Sequence, residues 1–190
     1  VGPYDISAYY MEHKVMQAEA MKAAKARILE VAAQFEKLSG RSYGLFEEYQ
    51  MQDTELAIVL IGSSAGTAKA AIDKLRENGV KAGLVKIRVF RPFPGEELAK
   101  ALSKTKAVAV LDKSEGFSAS GGPLFAETRS ALYDLEKRPH LIDIVYGLGG
   151  RDFRTEDAEK VFERLESIAT TGVVGSVYSH LGHRHKGGTA

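Results

Sequence analysis

The 190 residues contain no cysteine and no tryptophan, five prolines, and almost no excess of charge: 26 Lys and Arg against 25 Asp and Glu. Without cysteine the chain can form no disulfide, present no thiolate nucleophile, and supply no thiolate cage for an iron–sulfur cluster, so any such cluster belongs to another polypeptide. The balanced charge, with no long run of one sign, argues against a nucleic acid or an anionic membrane surface as partner. No apolar stretch reaches the roughly 18 to 20 residues a bilayer span needs, and the first residues lack the basic-then-apolar order of a signal peptide. The expectation is a soluble, cytoplasmic protein with one core; Val1 in place of methionine suits a part of a longer polypeptide.

Apolar periodicity divides the chain into three. Between Ser7 and Leu38, Met11, Val15, Ala18, Met21, Ala24, Ile28, Val31, Phe35 and Leu38 recur every three or four residues, which predicts one long helix stopped by Gly40. Its stripe packs either on its own domain or on a partner. Residues 41 to 54 are polar and aromatic and read as a connector; residues 1–52 are assigned to a linker helix and connector. Residues 53–170 form an α/β domain, and residues 171–190 a flexible Gly- and His-rich tail. In that tail His180, His183 and His185 with Arg184 and Lys186 form a basic cluster, of a kind that either binds a divalent metal or is disordered.

Within the α/β domain, Leu56 to Ile61 is an unbroken apolar run, the pattern of a strand buried on both faces. Ala68, Ala71, Ile72 and Leu75 follow at helical spacing, and Asn78 with Gly79 supplies a left-handed stop. The alternation continues: strand 84–90, helix 96–102, strand 107–111, helix 123–135, strand 141–146, helix 156–168. Pro123 suits a first helical turn, and Thr155 is expected to cap the last helix. Strands alternating with helices across short loops predict an open, mostly parallel, doubly wound sheet behind a long N-terminal helix. In strand 84–90, Lys86 and Arg88 share one face, which must meet water or a polar partner; an edge strand is the simpler explanation.

Ligands of such a sheet bind where loops leave the carboxyl ends of the strands. In Gly62–Thr67, residues Ser63, Ser64, Gly66 and Thr67 open a helix and are weak candidates for an anion site; tight-turn geometry and capping explain the same residues. Arg91, stiffened by Pro92 and Pro94, suits a carboxylate, a phosphate or a salt bridge to another subunit. Arg88, Arg151 and Asp152 join it as interface candidates. Asp112 could act as a base, but no histidine or metal ligand accompanies it at a readable spacing. Gly147, Gly149 and Gly150 fall in the last strand-to-helix loop and do not form a dinucleotide fingerprint. No nucleophile–base–orienter set can be assembled, so no catalytic residue and no metal ligand is assigned.

Four separated stretches carry a resemblance: GSSAGTAKAAIDKLRENGVKAGLVKIRVFRPFP (62–94), AVAVLDKS (107–114), GGPLFAE (121–127) and IVYGLGGRD (144–152). Together with AYYMEHKVMQAEAMKAA before them, they resemble the end of the α subunit of pyruvate:ferredoxin oxidoreductase and related 2-oxoacid oxidoreductases. The resemblance implies a transketolase C-terminal-domain-like fold serving structure and assembly, inactive in isolation. It further implies pyrimidine-binding, diphosphate-binding and ferredoxin-like domains or subunits as partners, with ferredoxin as indirect electron acceptor. In the assembled enzyme it implies thiamine diphosphate, Mg2+, iron–sulfur clusters and coenzyme A, none of them on this chain, which has no GDG-type thiamine diphosphate motif. The motifs look most like the pyruvate enzymes without settling the 2-oxoacid. A flavodoxin-like module holding an anion or FMN at Ser63–Thr67 is the alternative.

Overall fold

The computed structural model describes residues 7–119 and 121–184, in two compact units. One lies within Val1–Leu45 and Val89–Pro94, the other within Phe46–Arg88 and Gly95–Ala190.

The first unit is built on α1 (Tyr10–Ser39), closed by Gly40 in the left-handed conformation that glycine adopts without penalty. No residue of α1 is buried, and the expected apolar stripe stays open to solvent, Val31 at 60% and Leu38 at 88%. Near its end the Tyr43 ring meets Phe35 at 5.7 Å and the Arg41 guanidinium lies 5.3 Å from the Phe35 centroid.

The second unit holds a six-stranded sheet in the order β1-β3-β2-β4-β5-β6. Its strands are β1 (Phe46–Tyr49), β2 (Leu56–Ile61), β3 (Ala82–Ile87), β4 (Ala107–Asp112), β5 (His140–Val145) and β6 (Tyr178–His180). The pairs from β3 through β6 are parallel, and β1 lies antiparallel on β3. The helices are α2 (Ser64–Glu77), α3 (Gly95–Leu102), α4 (Pro123–Leu132) and α5 (Thr155–Thr171).

Period-2 alternation sorts the strand side chains between two layers. Leu56, Ile58, Leu60, Leu84, Leu111, Ile142 and Ile144 pack with Ile72 of α2 and Val161, Phe162 and Leu165 of α5 in one core. Their sequence neighbours Val59, Val85, Val108, Val110, Asp112 and Asp143 are buried on the opposite face, the side of α3 and α4, which pack on each other.

Four expectations change. Phe46–Tyr49, placed in the connector, is a strand, because its backbone pairs with the free side of β3. That pairing makes β3 an interior strand, not an edge: Lys86 lies opposite Glu47, and Arg88 donates to the Glu47 carboxylate at 2.7 Å, so a carboxylate meets the polar face. Thr155 is inside α5 and not its cap; the Asp157 carboxylate accepts the Arg154 N–H at 3.0 Å.

The fourth change concerns the tail. Residues 178–180 form β6, because the free side of β5 offers backbone donors and acceptors and because Arg164 of α5 reaches Ser179 Oγ (2.8 Å) and the Ser176 carbonyl. His185 and Lys186 lie outside the described residues. No helix among those described is long and apolar enough to cross a membrane.

Two glycines test this packing. A Cβ at Gly83 would sit 2.3 Å from Thr54 Oγ1, a buried hydroxyl that donates to the Gln50 carbonyl. Gly83→Ala is expected to cost about 1–3 kcal/mol, read as a lower urea midpoint with unchanged slope. Gly66 faces open space within α2, so Gly66→Ala is expected to raise stability by up to about 1 kcal/mol.

Candidate functional site

The polar groups of the second unit converge at the carboxyl ends of β4, β5 and β6. Asp112 ends β4 on the α4 side, with its carboxyl beneath the start of α4. Its Oδ1 accepts the Leu124 N–H at 3.0 Å and its Oδ2 the Phe125 N–H at 2.9 Å. Pro123 has no N–H to offer, so the carboxylate satisfies the next two free donors of that helix end. Asp143, one strand across, accepts the Gly122 N–H on Oδ2 at 2.7 Å. Both acids are buried, Asp143 completely. Burial pushes the Asp143 carboxyl up to about 6, against the Gly122 N–H and with help from the Asp112 charge. Burial also raises Asp112, against the Phe125 and Leu124 N–H groups.

This geometry explains the Gly121–Gly122 pair. A Cβ on Gly121 would lie 2.2 Å from Asp143 Oδ2, and one on Gly122 2.3 Å from the Asp112 carboxyl carbon. Gly121 also has φ 102, which side chains rarely adopt.

A second cluster flanks the first. Glu115 Oε2 accepts the Tyr178 hydroxyl and lies 2.9 Å from His180 Nε2, while the hydroxyl and Nε2 are 3.2 Å apart. The Tyr178 and His180 contacts hold the Glu115 carboxyl down at about 2, and Glu115 in turn pushes the Tyr178 phenol up to about 12. These residues line a cleft of about 490 Å³ with Phe117, Gly121 and Arg129. The cluster orients an imidazole and fastens β6 to the segment after β4. Among the described residues no group of three or more His, Asp or Glu is placed to hold a metal ion.

The residues expected from sequence are spread around this region. Ser63, Ser64, Gly66 and Thr67 open α2; Ser63 occupies the cap position without a side-chain cap bond. Gly62 needs glycine for its φ of 92, whereas a Cβ on Gly66 would meet nothing within 4 Å. Buried Tyr146 has its phenol raised by burial, with the Ser64 hydroxyl opposing, but its hydroxyl makes no hydrogen bond to this turn. Arg151 donates to the Gly182 carbonyl, and Asp152 is exposed. Arg91, in the first unit, donates to the Phe90 carbonyl at 2.8 Å and stacks 4.2 Å from the Phe90 ring centroid. Asp112, suggested as a base, is a helix-capping group whose oxygens are both taken.

Glu115, Asp143 and Tyr178 escaped the sequence reading. The available signal for Asp143 was one acid inside the apolar run Leu141–Tyr146. Besides the local Phe117 N–H, the partners of Glu115 lie 63 and 65 residues away, where no sequence pattern announces them.

The Glu115 contacts carry a pH signature. Because its folded pKa lies below its ordinary 4.5, at about 2, the hold on β6 is complete above that ordinary value and is lost as pH falls toward 2. Nuclear magnetic resonance signals of Tyr178 and Ser179 are expected to move toward unfolded positions across that window. In Glu115→Gln they should already be shifted at neutral pH.

Comparison with known proteins places the fold. Residues 54–158 match the family model described as pyruvate:ferredoxin oxidoreductase core domain II. Pyruvate synthase subunit PorA of Thermotoga maritima is 46% identical over 162 residues, covering 85% of this chain and 41% of that one. The α subunit of the NADH-dependent phenylglyoxylate dehydrogenase of Aromatoleum evansii is 40% identical over 165 residues, covering 86% and 40%. This chain thus spans less than half the length of these relatives. A solved structure titled split gene transketolase, inactive beta4 tetramer, aligns with TM-score 0.51 and 17% identity over 68% of this chain and 43% of that one, a likeness of fold alone. The chain belongs to the pyruvate:ferredoxin oxidoreductase core domain II family.

Proposed function

We propose that this chain is the structural, assembly domain of the α subunit of a thiamine-diphosphate-dependent 2-oxoacid:ferredoxin oxidoreductase. That enzyme converts a 2-oxoacid to acyl-CoA and CO2 and reduces ferredoxin. The observation that carries the reading is the family match over residues 54–158, joined to 46% identity with a pyruvate synthase subunit. Relatives named for pyruvate, phenylglyoxylate and ketoisovalerate lie at 46%, 40% and 38% identity, so the reading names the 2-oxoacid class, with pyruvate as first substrate to try. The cytoplasm is its proposed location.

Chemistry supports a non-catalytic role. The sequence has no cysteine to ligate a cluster, and both oxygens of Asp112 and one of Asp143 are taken by backbone N–H groups. Thiamine diphosphate with Mg2+, the iron–sulfur clusters and coenzyme A are therefore assigned to pyrimidine-binding, diphosphate-binding and ferredoxin-like partners, with ferredoxin reached through them. Arg88, Arg91, Arg151 and Asp152 are the proposed interface residues. The FMN alternative at Ser63–Thr67 has no support beyond an N-terminal helical turn.

The test is reconstitution. The purified chain is expected to turn over no pyruvate and to show no calorimetric binding of thiamine diphosphate at micromolar concentration. Co-expressed with the remaining subunits, it should co-purify in a complex that reduces ferredoxin. Turnover by the chain alone would overturn the reading, and so would a fully active complex assembled without these residues.

A further inference from the structure

Asp143 is not among the proposed interface residues, and its surroundings are unusual for a carboxylate. It is wholly buried on β5, with Oδ2 accepting from Gly122 while Oδ1 has no hydrogen-bond partner. Asp112, on the same face of the adjacent strand, already accepts two N–H groups and adds a like charge. The other groups acting on this carboxyl are the Ile144 N–H, which favours the ionised form without reaching hydrogen-bond geometry at Oδ1, the Glu115 carboxylate, from the segment after β4, and the phenol of Tyr178, which lies opposite Asp143 on β6 and stays neutral. An ionised Asp143 would thus bury a charge with one bare oxygen beside a second carboxylate, an arrangement that favours the protonated form.

We propose that the Asp112–Asp143 pair is a proton-operated latch: a proton held at the Asp143 carboxyl keeps the Gly121–Gly122 turn and the start of α4 seated on β4 and β5, and loss of that proton unseats them. The bare Oδ1 is the seat of the proton, which leaves Oδ2 free to accept from Gly122. Once ionised, Oδ1 carries charge without a hydrogen bond, and the carboxyl is held at its other oxygen by the side-chain-free turn, whose closest approach to Oδ2 is set by Gly121. Opening there reaches the Glu115 contacts, because Glu115 lies on the segment joining β4 to this turn.

The sign follows from burial. The folded carboxyl titrates near 6 against an ordinary 3.8, so the folded state keeps a proton that the unfolded chain releases. The latch contributes fully below the ordinary value, weakens as pH rises, and contributes nothing above about 6. This inference stands whether or not the oxidoreductase reading holds.

The test uses the full 190-residue chain. Carboxyl carbon resonances should place the Asp143 midpoint near 6. Hydrogen exchange at the Gly122 amide, corrected for intrinsic rates, should lose protection by about tenfold or more between roughly pH 5 and 7.5. Asp143→Asn, a neutral near-isostere, should remove that dependence. A midpoint below about 4, constant Gly122 protection, or the wild-type profile persisting in Asp143→Asn would each overturn the latch. If the variant does not fold, the wild-type titration and exchange decide the question.

Discussion

A strand covered by helices on both faces can satisfy its peptide groups only sideways, through its neighbours in the sheet. β2 and β4 are in that position: Ala57 through Leu60 and Ala107 through Val110 have no exposed surface. Everything else in the second unit answers to this requirement. The helices must cover both faces, the loops must leave at the two ends of the sheet, and polar groups that enter the interior must find donors there. Asp112 does so by turning toward the two N–H groups at the start of α4. One side chain thereby serves both the end of a strand and the beginning of a helix.

The same requirement explains what was legible in the sequence. The apolar run Leu56–Ile61 and the alternation with helices of 3.6 period revealed the parallel core, because burial on two faces leaves its mark in consecutive residues. The two outer strands were missed. β1 and β6 depend on vacant backbone positions along β3 and β5, and a vacancy belongs to the neighbour's geometry, not to the short segment that fills it. The Lys86 face left water or a polar partner open, and the pairing supplies the partner: Lys86 lies opposite Glu47 of another strand, so only the edge position was misjudged.

The polar centre was half legible. Asp112 and the Gly121–Gly122 pair stood out separately, but the reason they occur together is a close approach between residues ten positions apart in sequence. The contacts from Glu115 to Tyr178 and His180 cross more than sixty residues and leave no local pattern. The reading of Ser63–Thr67 as a weak anion site rested on residue types that a strand-to-helix turn also selects, and Gly62, with φ 92, has the conformational reason expected of such a turn. Family membership came from the order of several motifs and not from any one site, as suits a domain whose buried acids hold backbone.

The two borders of the sheet share a design. β1 is four residues long and carries Glu47 and Glu48; β6 is three residues long and ends where Glu115 grips His180. Short, charged border strands present few free backbone groups to an intruding chain. The hydrophobic middle of the sheet, β2 and β4, is thus kept away from the borders where a further strand could add.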